Sequence, residues 1–272
     1  MDRVIKIALD EVGYLEKAKK YWQECGSGCL YNKTEFAGTD NYTKYGYEMH
    51  KLYPAVMDFP AAWCDAFVDW CFYKAYGKGN AEAMIGGHFD DYTKNSAKLY
   101  IGKEAFFYAK TFHGKKGDQV FFSKNGTFDG IYHTGLVVDA DETYIYTVEG
   151  NTSDGKEVVP NGGAVCRKKY AHTNPKLYGF GRPKYSNAEW HWVKADGVWY
   201  YQDGFGRNSY GWKVIKESGS EKKHWYYFNQ KGQMLKDLQA IDGELFYLQN
   251  DGALEGACCK TDERGALKIW DV

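Results

Sequence analysis

The chain has 272 residues, of which 44% are hydrophobic, so it is long enough for one large or two modest globular domains with a real core. Its 35 Lys and Arg nearly balance its 36 Asp and Glu, and a formal charge of -1 excludes a global field that would hold nucleic acid or an anionic membrane. Aromatic residues are abundant, with 24 Tyr and 9 Trp, and the tryptophans concentrate toward the C-terminus, where flat polarizable rings suit sugars and cations.

The first residues lead directly into a helical pattern. Residues 1–6 lack the basic segment, apolar run and small-residue cleavage site of a signal peptide, and no stretch reaches transmembrane length. We therefore expect synthesis in the cytoplasm and no membrane partner. The seven cysteines are an odd number that cannot pair completely within the chain, and we expect them to be mostly reduced.

Helical patterns precede strand patterns in the first two thirds of the chain. Apolar residues at helix-like spacing between Val4 and Leu15 predict a first helix. Similar patterns predict a second helix over Pro60–Tyr73 and a third over about Asp91–Phe107. Short β-rich runs bounded by turn residues follow at Gln119–Phe122, His133–Val138, Tyr144–Glu149, Val165–Lys168 and Tyr178–Pro183. Helices followed by a mostly antiparallel sheet indicate an α+β fold for residues 1–185.

From about Trp190 onward the chain repeats one short unit three times. An apolar residue precedes a run of three mostly aromatic residues in each copy, with Trp192 before 199–201, Trp212 before 225–227 and Leu238 before 245–247. The spacing is seven residues in the first and third copies and thirteen in the second, as if six residues within 216–223 had been inserted. Glycine-containing turns follow the runs at Asp203–Gly204, Lys231–Gly232 and Asp251–Gly252. We therefore predict three stacked β-hairpins, a small solenoid, over residues 186–272 after a polar linker at 183–187.

Cys64 is the first candidate for chemistry. It follows Pro60 at the predicted first turn of the second helix, where unsatisfied N–H groups and the helix dipole favour an anion. A thiolate is the competent nucleophile, and a thiol near the reference pKa of about 8.5 would be mostly unreactive at neutral pH. The alternative is a buried cysteine that acts as a small apolar side chain, a role that Cys71 fits better.

A cysteine nucleophile needs a base, and His133 is the preferred one of seven histidines. It lies at the start of a predicted strand, where a sheet edge could hold the imidazole against a helix N-terminus. The next strand ends in Glu149–Asn151, so a hairpin between the two strands can place a carboxylate or an amide beside the imidazole. These residues together provide a nucleophile, a base and an orienting group.

Several motifs of the first region resemble one known family. They are Trp63–Val68 on the helix, Lys116–Phe122 entering the sheet, His133–Gly135, Glu149–Ser153 and the closing Gly179–Pro183. The family is that of the cysteine, histidine-dependent amidohydrolase/peptidase (CHAP) domains, within the papain-like cell-wall peptidases. The resemblance spans about residues 3–185 and implies a papain-like CHAP catalytic domain over residues 1–185.

The resemblance implies a role for each matching residue. Cys64 would be the nucleophile, His133 the general acid/base, and Glu149 the group that orients His133. Asn151 would be a supporting polar residue that hydrogen-bonds the imidazole, helps hold the oxyanion or caps the turn after the strand. The backbone N–H of Cys64 is an expected oxyanion donor, with a second donor from an upstream loop such as 41–46.

Metal binding is not expected from this sequence. Some family members bind calcium through an acidic loop upstream of the cysteine, but the corresponding stretch, Thr39–Gly46, contains one carboxylate, whereas calcium takes six to eight oxygens. Cys25 and Cys29 have no partner Cys or His pair at zinc-finger spacing. We therefore expect no metal and no cofactor, and two ordinary thiols in a flexible loop.

The repeats resemble the choline-binding, or cell-wall-binding, modules of Gram-positive and phage lytic enzymes. Those modules hold a quaternary ammonium in a cage of aromatic rings by cation–π attraction. The resemblance implies one cage from Trp199, Trp212 and Tyr227. A second would use Trp225 and Tyr247, although a leucine removes one of its walls. The alternatives are rings that serve only as the core of small hairpins, and rings that bind saccharide.

Taken together, the resemblances imply a hydrolase that cuts an amide bond in peptidoglycan, either as an N-acetylmuramoyl-L-alanine amidase or as an endopeptidase. The repeats would attach it to wall choline, teichoic acid or saccharide groups. The missing signal peptide favours a phage endolysin released through a holin, or another route of export. The alternatives are a catalytically inactive wall-binding or adhesion protein, and a papain-like protease or transglutaminase acting on soluble proteins.

Overall fold

The computed structural model describes residues 1–153, 163–188, 190–203, 207–217, 220–261 and 267–269. The chain divides into two compact units, Met1–Tyr185 and Ser186–Val272. Within the described ranges, no helix is long and apolar enough to cross a membrane.

Six α-helices form the first part of the first unit. They are α1 (Asp2–Asp10), α2 (Lys19–Cys25), α3 (Lys44–Leu52), α4 (Cys64–Tyr76), α5 (Lys78–Ile85) and α6 (Thr93–Gly102). Short 3-10 helices lie at Gly26–Tyr31 and Tyr185–Ala188. Helix α4 is central to the unit, since Tyr73 and Lys74 are the only residues of this helix that are not buried.

The helix boundaries differ from the sequence predictions. Helix α1 ends at Asp10 because the chain turns at Gly13, whose φ is +90°, and the following residues hydrogen-bond to Val165. Helix α4 begins at Cys64, so Pro60 lies outside it. The third predicted helix is shorter as well, because α6 ends at Gly102 and the chain then enters a strand.

An antiparallel sheet of six strands completes the first unit. The strands are β1 (Phe106–Tyr108), β2 (Gln119–Ser123), β3 (Ile131–Ala140), β4 (Tyr144–Thr152), β5 (Ala164–Ala171) and β6 (Leu177–Gly181), in the order β1-β6-β2-β3-β4-β5. The observed fold is therefore α+β, as predicted. The expectation of a sheet edge at His133 is wrong, because β3 lies between β2 and β4 and His133 pairs with Phe122.

The sheet packs closely against α4. A Cβ atom on Gly150 would lie 2.7 Å from both Phe67 and Trp63, which is closer than real contacts allow. Glycine at this position therefore lets the first turns of α4 approach β4. A cluster of buried apolar side chains fills the core of the sheet: Val120, Phe122, Val137, Ile145, Leu177 and Phe180. Full burial of each such side chain contributes roughly 1.5–3 kcal/mol.

The two upstream cysteines are paired in the structure. Cys25 ends α2 and Cys29 lies in the 3-10 helix that follows, and a disulfide joins them with their Cα atoms 5.9 Å apart. The expectation of two ordinary thiols is therefore wrong, because the helix and the 3-10 turn bring the two side chains together. Among the described residues, Cys64 and four other cysteines are free thiols.

The second unit consists of β-hairpins. Its strands are β7 (His191–Ala195), β8 (Val198–Gln202), β9 (Gly211–Lys216), β10 (Lys223–Phe228), β11 (Asp237–Ile241), β12 (Glu244–Leu248), β13 (Cys258–Thr261) and β14 (Leu267–Ile269). The first two hairpins, β7–β8 and β9–β10, are separate sheets, whereas β11–β14 form one sheet. The three predicted hairpins are present, and β13–β14 add a further pair of strands that the sequence pattern does not indicate.

The hairpin turns lie before the aromatic runs. In the first hairpin the turn is Asp196–Gly197 and in the third it is Asp242–Gly243, and all four residues have positive φ, as a type I′ hairpin turn requires. The middle hairpin is longer, because residues 217–222 separate its strands. The predicted turns at Lys231–Gly232 and Asp251–Gly252 instead follow the hairpins, and the one at Asp203–Gly204 extends beyond the described residues.

Candidate functional site

Cys64 lies at the first position of α4, and its surroundings are nearly closed to solvent. The Cys64 side chain is 7% exposed, and its sulfur lies 3.6 Å from the Oγ1 of Thr93, the first residue of α6. The preceding Trp63 is fixed from the other side, because its indole Nε1 donates to the Oε2 of buried Glu16 at 2.9 Å. The thiol is therefore held between two helix N-termini, where unsatisfied N–H groups favour an anion.

His133 and Glu149 form a buried pair across β3 and β4. Nε2 of His133 lies 2.9 Å from Oε2 of Glu149, and the side chains are 2% and 0% exposed. Gly135 provides the space for this carboxylate, because a Cβ atom there would lie 2.4 Å from Cγ of Glu149. The structure thus brings together the two residues that the sequence placed on neighbouring strands.

Two further side chains hold the Glu149 carboxylate. The Thr147 hydroxyl donates to Oε1 at 2.5 Å, and the Tyr170 hydroxyl donates to Oε2 at 3.3 Å. Burial, followed by the charge of Glu149, raises the pKa of Tyr170, so its proton remains available for donation. With His133, three donors surround a carboxylate that has no solvent contact, and such donors are what a buried charge needs.

The protonation of His133 follows from these neighbours. Burial lowers its pKa, but the thiol of Cys64 and the carboxylate of Glu149 outweigh burial and raise the imidazole pKa from 6.5 to about 10. The bond to Glu149 occupies Nε2, so Nδ1 is the ring nitrogen left to face Cys64. Both neighbours therefore favour the protonated form of the imidazole over the neutral form.

A second buried network of hydrogen bonds joins the helices and strands that carry the site. Asp65 accepts from Ser96 at 2.6 Å and from Gln119 at 3.0 Å, and Gln119 also donates to Thr134 at 3.1 Å. Burial raises the pKa of Asp65 to about 7. These bonds connect α4, α6, β2 and β3, so they fix the residue after Cys64 relative to the strand that carries His133.

Asn151 lies at the end of β4 with a φ of +51° and is buried. Its Oδ1 has no hydrogen-bond partner among the described residues, and no hydrogen bond between the described atoms joins its side chain to His133. A Cβ atom on Gly163 would lie 2.7 Å from both Cα and Oδ1 of Asn151, so these two residues pack tightly. The role of Asn151 stays a prediction.

In the loop expected to supply a second oxyanion donor, three backbone N–H groups donate hydrogen bonds within the protein. The N–H groups of Asn41, Lys44 and Gly46 donate to Glu16, to the Tyr14 hydroxyl and to the Thr43 hydroxyl, respectively. The carboxylate of Asp40 in the same stretch accepts from Lys19 N at 2.8 Å. The part of the chain that the structure describes contains no group of three or more His, Cys, Asp and Glu placed to hold a metal ion.

An aromatic cavity of about 200 Å³ lies in the second unit. Its walls are Trp192, Trp199, Tyr226, Met234, Gly252, Ala253 and Glu255. The ring of Trp192 lies edge-on to that of Trp199 at 6.1 Å and to that of Tyr226 at 4.9 Å between centroids. Two tryptophans of the first hairpin therefore face a tyrosine of the second, an arrangement suited to cation–π contacts.

The predicted cages group these rings differently. Trp199 lines the cavity with Trp192 and Tyr226, whereas Trp212 and Tyr227 belong to a second cluster. In that cluster the ring of Trp212 lies 6.2 Å from Trp225, 5.1 Å from Tyr227 and 4.8 Å from Phe246. Tyr247 pairs with Leu238 and Cys259 in the sheet. Tyr226 and Tyr227 belong to different clusters because successive residues of a strand point to opposite faces of the hairpin.

Two protein families match parts of this chain. Residues 56–151 match the CHAP domain family, and this stretch includes Cys64, His133, Glu149 and Asn151. The first unit thus contains a CHAP domain, a class of cysteine-dependent amidohydrolases and peptidases. Residues 220–234, which include β10, match a cell wall binding repeat of the choline-binding family. The chain is therefore a CHAP-domain protein with C-terminal choline-binding cell wall repeats.

Solved structures show weaker likenesses. The choline binding domain of Spr1274 from Streptococcus pneumoniae is 24% identical over 26% of this chain and 94% of its own, with a TM-score of 0.20. CbpF in complex with ipratropium is 19% identical over 53% of this chain and 47% of its own, with a TM-score of 0.23. Ly7917 is 14% identical over 77% of this chain and 89% of its own, with a TM-score of 0.30. No curated protein matches the chain.

Several site residues escape the sequence reasoning. Thr93 and Tyr170 are distant in sequence from Cys64 and Glu149, and no local pattern marks them. Thr147 could have been found, because it lies two residues before Glu149 and so on the same face of a strand. The spacing of the repeat includes Trp192, but the cavity that this residue lines depends on how the hairpins stack.

Proposed function

We propose that this protein hydrolyses an amide bond in peptidoglycan, as an N-acetylmuramoyl-L-alanine amidase or an endopeptidase, and that Cys64, His133 and Glu149 carry out the reaction. The observation that supports this proposal most directly is the buried pair of His133 and Glu149 beside the thiol of Cys64. The wall-binding repeats supply the reason for a polymeric wall substrate.

The reaction would begin with the Cys64 thiolate and the His133 imidazolium. The sulfur attacks the carbonyl carbon of the amide, and the backbone N–H of Cys64, in the first turn of α4, donates to the developing oxyanion. His133 then gives its proton to the leaving nitrogen. The C–N bond breaks, the amine departs, and the acyl group stays on Cys64 as a thioester.

Hydrolysis would regenerate the enzyme. The neutral His133 takes a proton from water, the resulting hydroxide attacks the thioester carbonyl, and the C–S bond breaks to release a carboxylic acid and the Cys64 thiolate. Glu149 keeps Nε2 of His133 bonded throughout, so Nδ1 remains the nitrogen that exchanges the proton. The carboxylate also stabilises the imidazolium each time that it forms.

The second unit would attach the enzyme to the wall. We propose that the cavity between the first two hairpins holds the trimethylammonium group of choline on wall teichoic acid, with Trp192, Trp199 and Tyr226 as its walls. Met234 would close the cavity with a soft apolar contact. The protein would then act at the cell wall, and an endolysin role fits this combination of parts.

Product analysis tests the proposed chemistry. Purified peptidoglycan would be digested with the parent protein and with Cys64→Ala, and the new termini identified by mass spectrometry. We expect new termini at one amide bond with the parent and none with the variant. Equal release of fragments by the two proteins would contradict the proposal. New free amines at the N-termini of stem peptides, with the muramic acid carboxyl groups released as free acids, would indicate an amidase, and new ends within peptides would indicate an endopeptidase.

Wall attachment is tested separately with the inactive Cys64→Ala chain. We expect it to sediment with choline-containing walls and to be released by free choline. Trp192→Ala in the same background removes one wall of the cavity and should leave most of the protein in the supernatant. Sedimentation that choline does not reverse would contradict the proposed ligand.

A further inference from the structure

The cavity between the first two hairpins contains a charged group in addition to its aromatic rings. Oε2 of Glu255 accepts from the indole Nε1 of Trp199 at 3.2 Å, so this carboxylate both lines the cavity and fixes one of its tryptophan walls. The side chain of Glu255 is 19% exposed. A neutral saccharide needs no carboxylate at this position, whereas a cation gains from one.

Two lysines share this carboxylate. Nζ of Lys236 lies 2.9 Å from Oε1 of Glu255, and Nζ of Lys194 lies 3.8 Å from Oε2. The Lys236 ammonium, first as a hydrogen-bond donor, lowers the pKa of Glu255, so the carboxylate is ionised at neutral pH. The lysine side chains are 44–45% exposed, which leaves both ammonium groups in contact with solvent and able to move.

Lys194 is placed differently from Lys236. Its Nζ also lies 4.9 Å from the centroid of the Trp199 ring, within the range of a cation–π contact. The Lys194 ammonium therefore uses the same carboxylate oxygen and the same indole ring that a ligand cation in this cavity would use. Lys236 is bound to the other carboxylate oxygen.

We infer that Glu255 is a specificity-determining residue, which makes the cavity prefer a quaternary ammonium to a neutral group of the same shape. Lys194 then competes with the ligand for the Glu255 carboxylate and the Trp199 ring. This inference rests on the proposed function of the cavity as a choline site. The two cations carry the same charge but differ in hydrogen bonding and hydration, because a trimethylammonium group donates no N–H hydrogen bond and is more weakly hydrated than the lysine ammonium. Ligand binding would displace Lys194 toward solvent.

The local backbone supports a fixed carboxylate. Met234 N donates to the carbonyl of Trp199 at 2.8 Å, and Gly256 N donates to that of Gln249 at 2.6 Å. A Cβ atom on Gly256 would lie 2.3 Å from the sulfur of Met234, so glycine lets the segment that carries Glu255 close over the methionine. The carboxylate thus lies on a segment held against the cavity.

The test compares choline with 3,3-dimethylbutanol, its neutral analogue of the same shape, in titrations of the full-length parent chain, Glu255→Gln and Lys194→Gln. The glutamine at 255 keeps an oxygen that can accept from Trp199, so it removes the charge with the least change in the cavity. Lys236→Gln is the matched control, since it removes a lysine from the same carboxylate but not from the ring.

We expect the parent to prefer choline by about tenfold, which corresponds to about 1.4 kcal/mol. Glu255→Gln should lose most of this preference by weakening choline binding five- to tenfold, with roughly twofold or smaller effects on the neutral analogue. Lys194→Gln should strengthen choline binding about threefold, and more than Lys236→Gln does.

The outcomes separate the two proposals. A parent chain that binds neither compound would overturn the choline site and this inference together. A parent that binds choline while Glu255→Gln keeps the full preference would overturn the inference alone and leave an aromatic cage as the whole site. Tighter choline binding by Lys236→Gln than by Lys194→Gln would overturn the proposed competition.

Discussion

Replacing Glu149 with glutamine tests the central pair of the site. The amide occupies nearly the same volume and can still accept from Nε2 of His133, but it carries no charge. Because Glu149 and the Cys64 thiol together raise the pKa of His133 to about 10, loss of the charge should lower this pKa toward the ordinary 6.5. The imidazolium is present below the pKa and lost above it, so the alkaline limb of the activity profile should move to lower pH.

The size of the effect follows from the pKa values. An imidazole with a pKa of 6.5 is about 3% protonated at pH 8, which would lower the rate at that pH roughly 30-fold if protonated His133 is required. The thiol of Cys64 still favours the charged imidazole, so we expect a loss of roughly 10- to 30-fold at pH 8 and a smaller loss at pH 6. Thermal unfolding of both proteins would control for loss of structure.

Two measurements check this prediction. Release of soluble fragments from peptidoglycan between pH 5 and about pH 10 gives the activity profile across both pKa values. Alkylation of Cys64 by iodoacetamide, followed on its own peptide by mass spectrometry, reports the reactivity of the thiol without any wall substrate. A Glu149→Gln protein with the parental profile in both assays would refute the role of the carboxylate. Tyr170→Phe, which removes only the 3.3 Å donor to Glu149, should change the profile much less.

Three other substitutions test neighbouring features. Thr93→Val removes the hydroxyl 3.6 Å from the Cys64 sulfur and should slow Cys64 alkylation about three- to tenfold. Thr93→Ser keeps a hydroxyl and should restore the parental rate. Equal alkylation rates for all three proteins would show that this hydroxyl does not affect the reactivity of Cys64. Gly135→Ala places a methyl group 2.4 Å from Cγ of Glu149 and should destabilise the fold by about 1–3 kcal/mol in urea unfolding, with loss of activity; an unchanged midpoint would contradict the close contact. Burial, followed by the charge of a neighbouring aspartate, raises the pKa of Asp69 well above its usual range, so the stability it contributes is lost as pH rises through that pKa. Asp69→Asn should therefore raise the melting temperature at pH 8 more than at pH 5, and the reverse order would be evidence against a costly buried charge.

The sequence by itself determined the residues whose signals are local. The apolar pattern after Cys64 has helical spacing and places this residue in the first turn of a helix, although the predicted start at Pro60 lies four residues before the observed one. His133 and Glu149 lie on strands because their neighbours form β-rich runs. The α+β order of elements follows from the same patterns. The hairpin repeats were visible in the spacing of Trp192 and Trp212 from the aromatic runs that follow them. Local periodicity is sufficient for each of these conclusions.

Tertiary structure decided which of these side chains meet. Strand order places β3 inside the sheet, so a neighbouring strand on each side, and not a free edge, holds His133. The stacking of hairpins sets Trp199 against Tyr226 and not against Tyr227, because successive residues of a strand point to opposite faces and sequence spacing does not say which face meets the next hairpin. Thr93 and Glu255 reach their sites from distant segments, since only the packed chain brings them within bonding distance of Cys64 and Trp199.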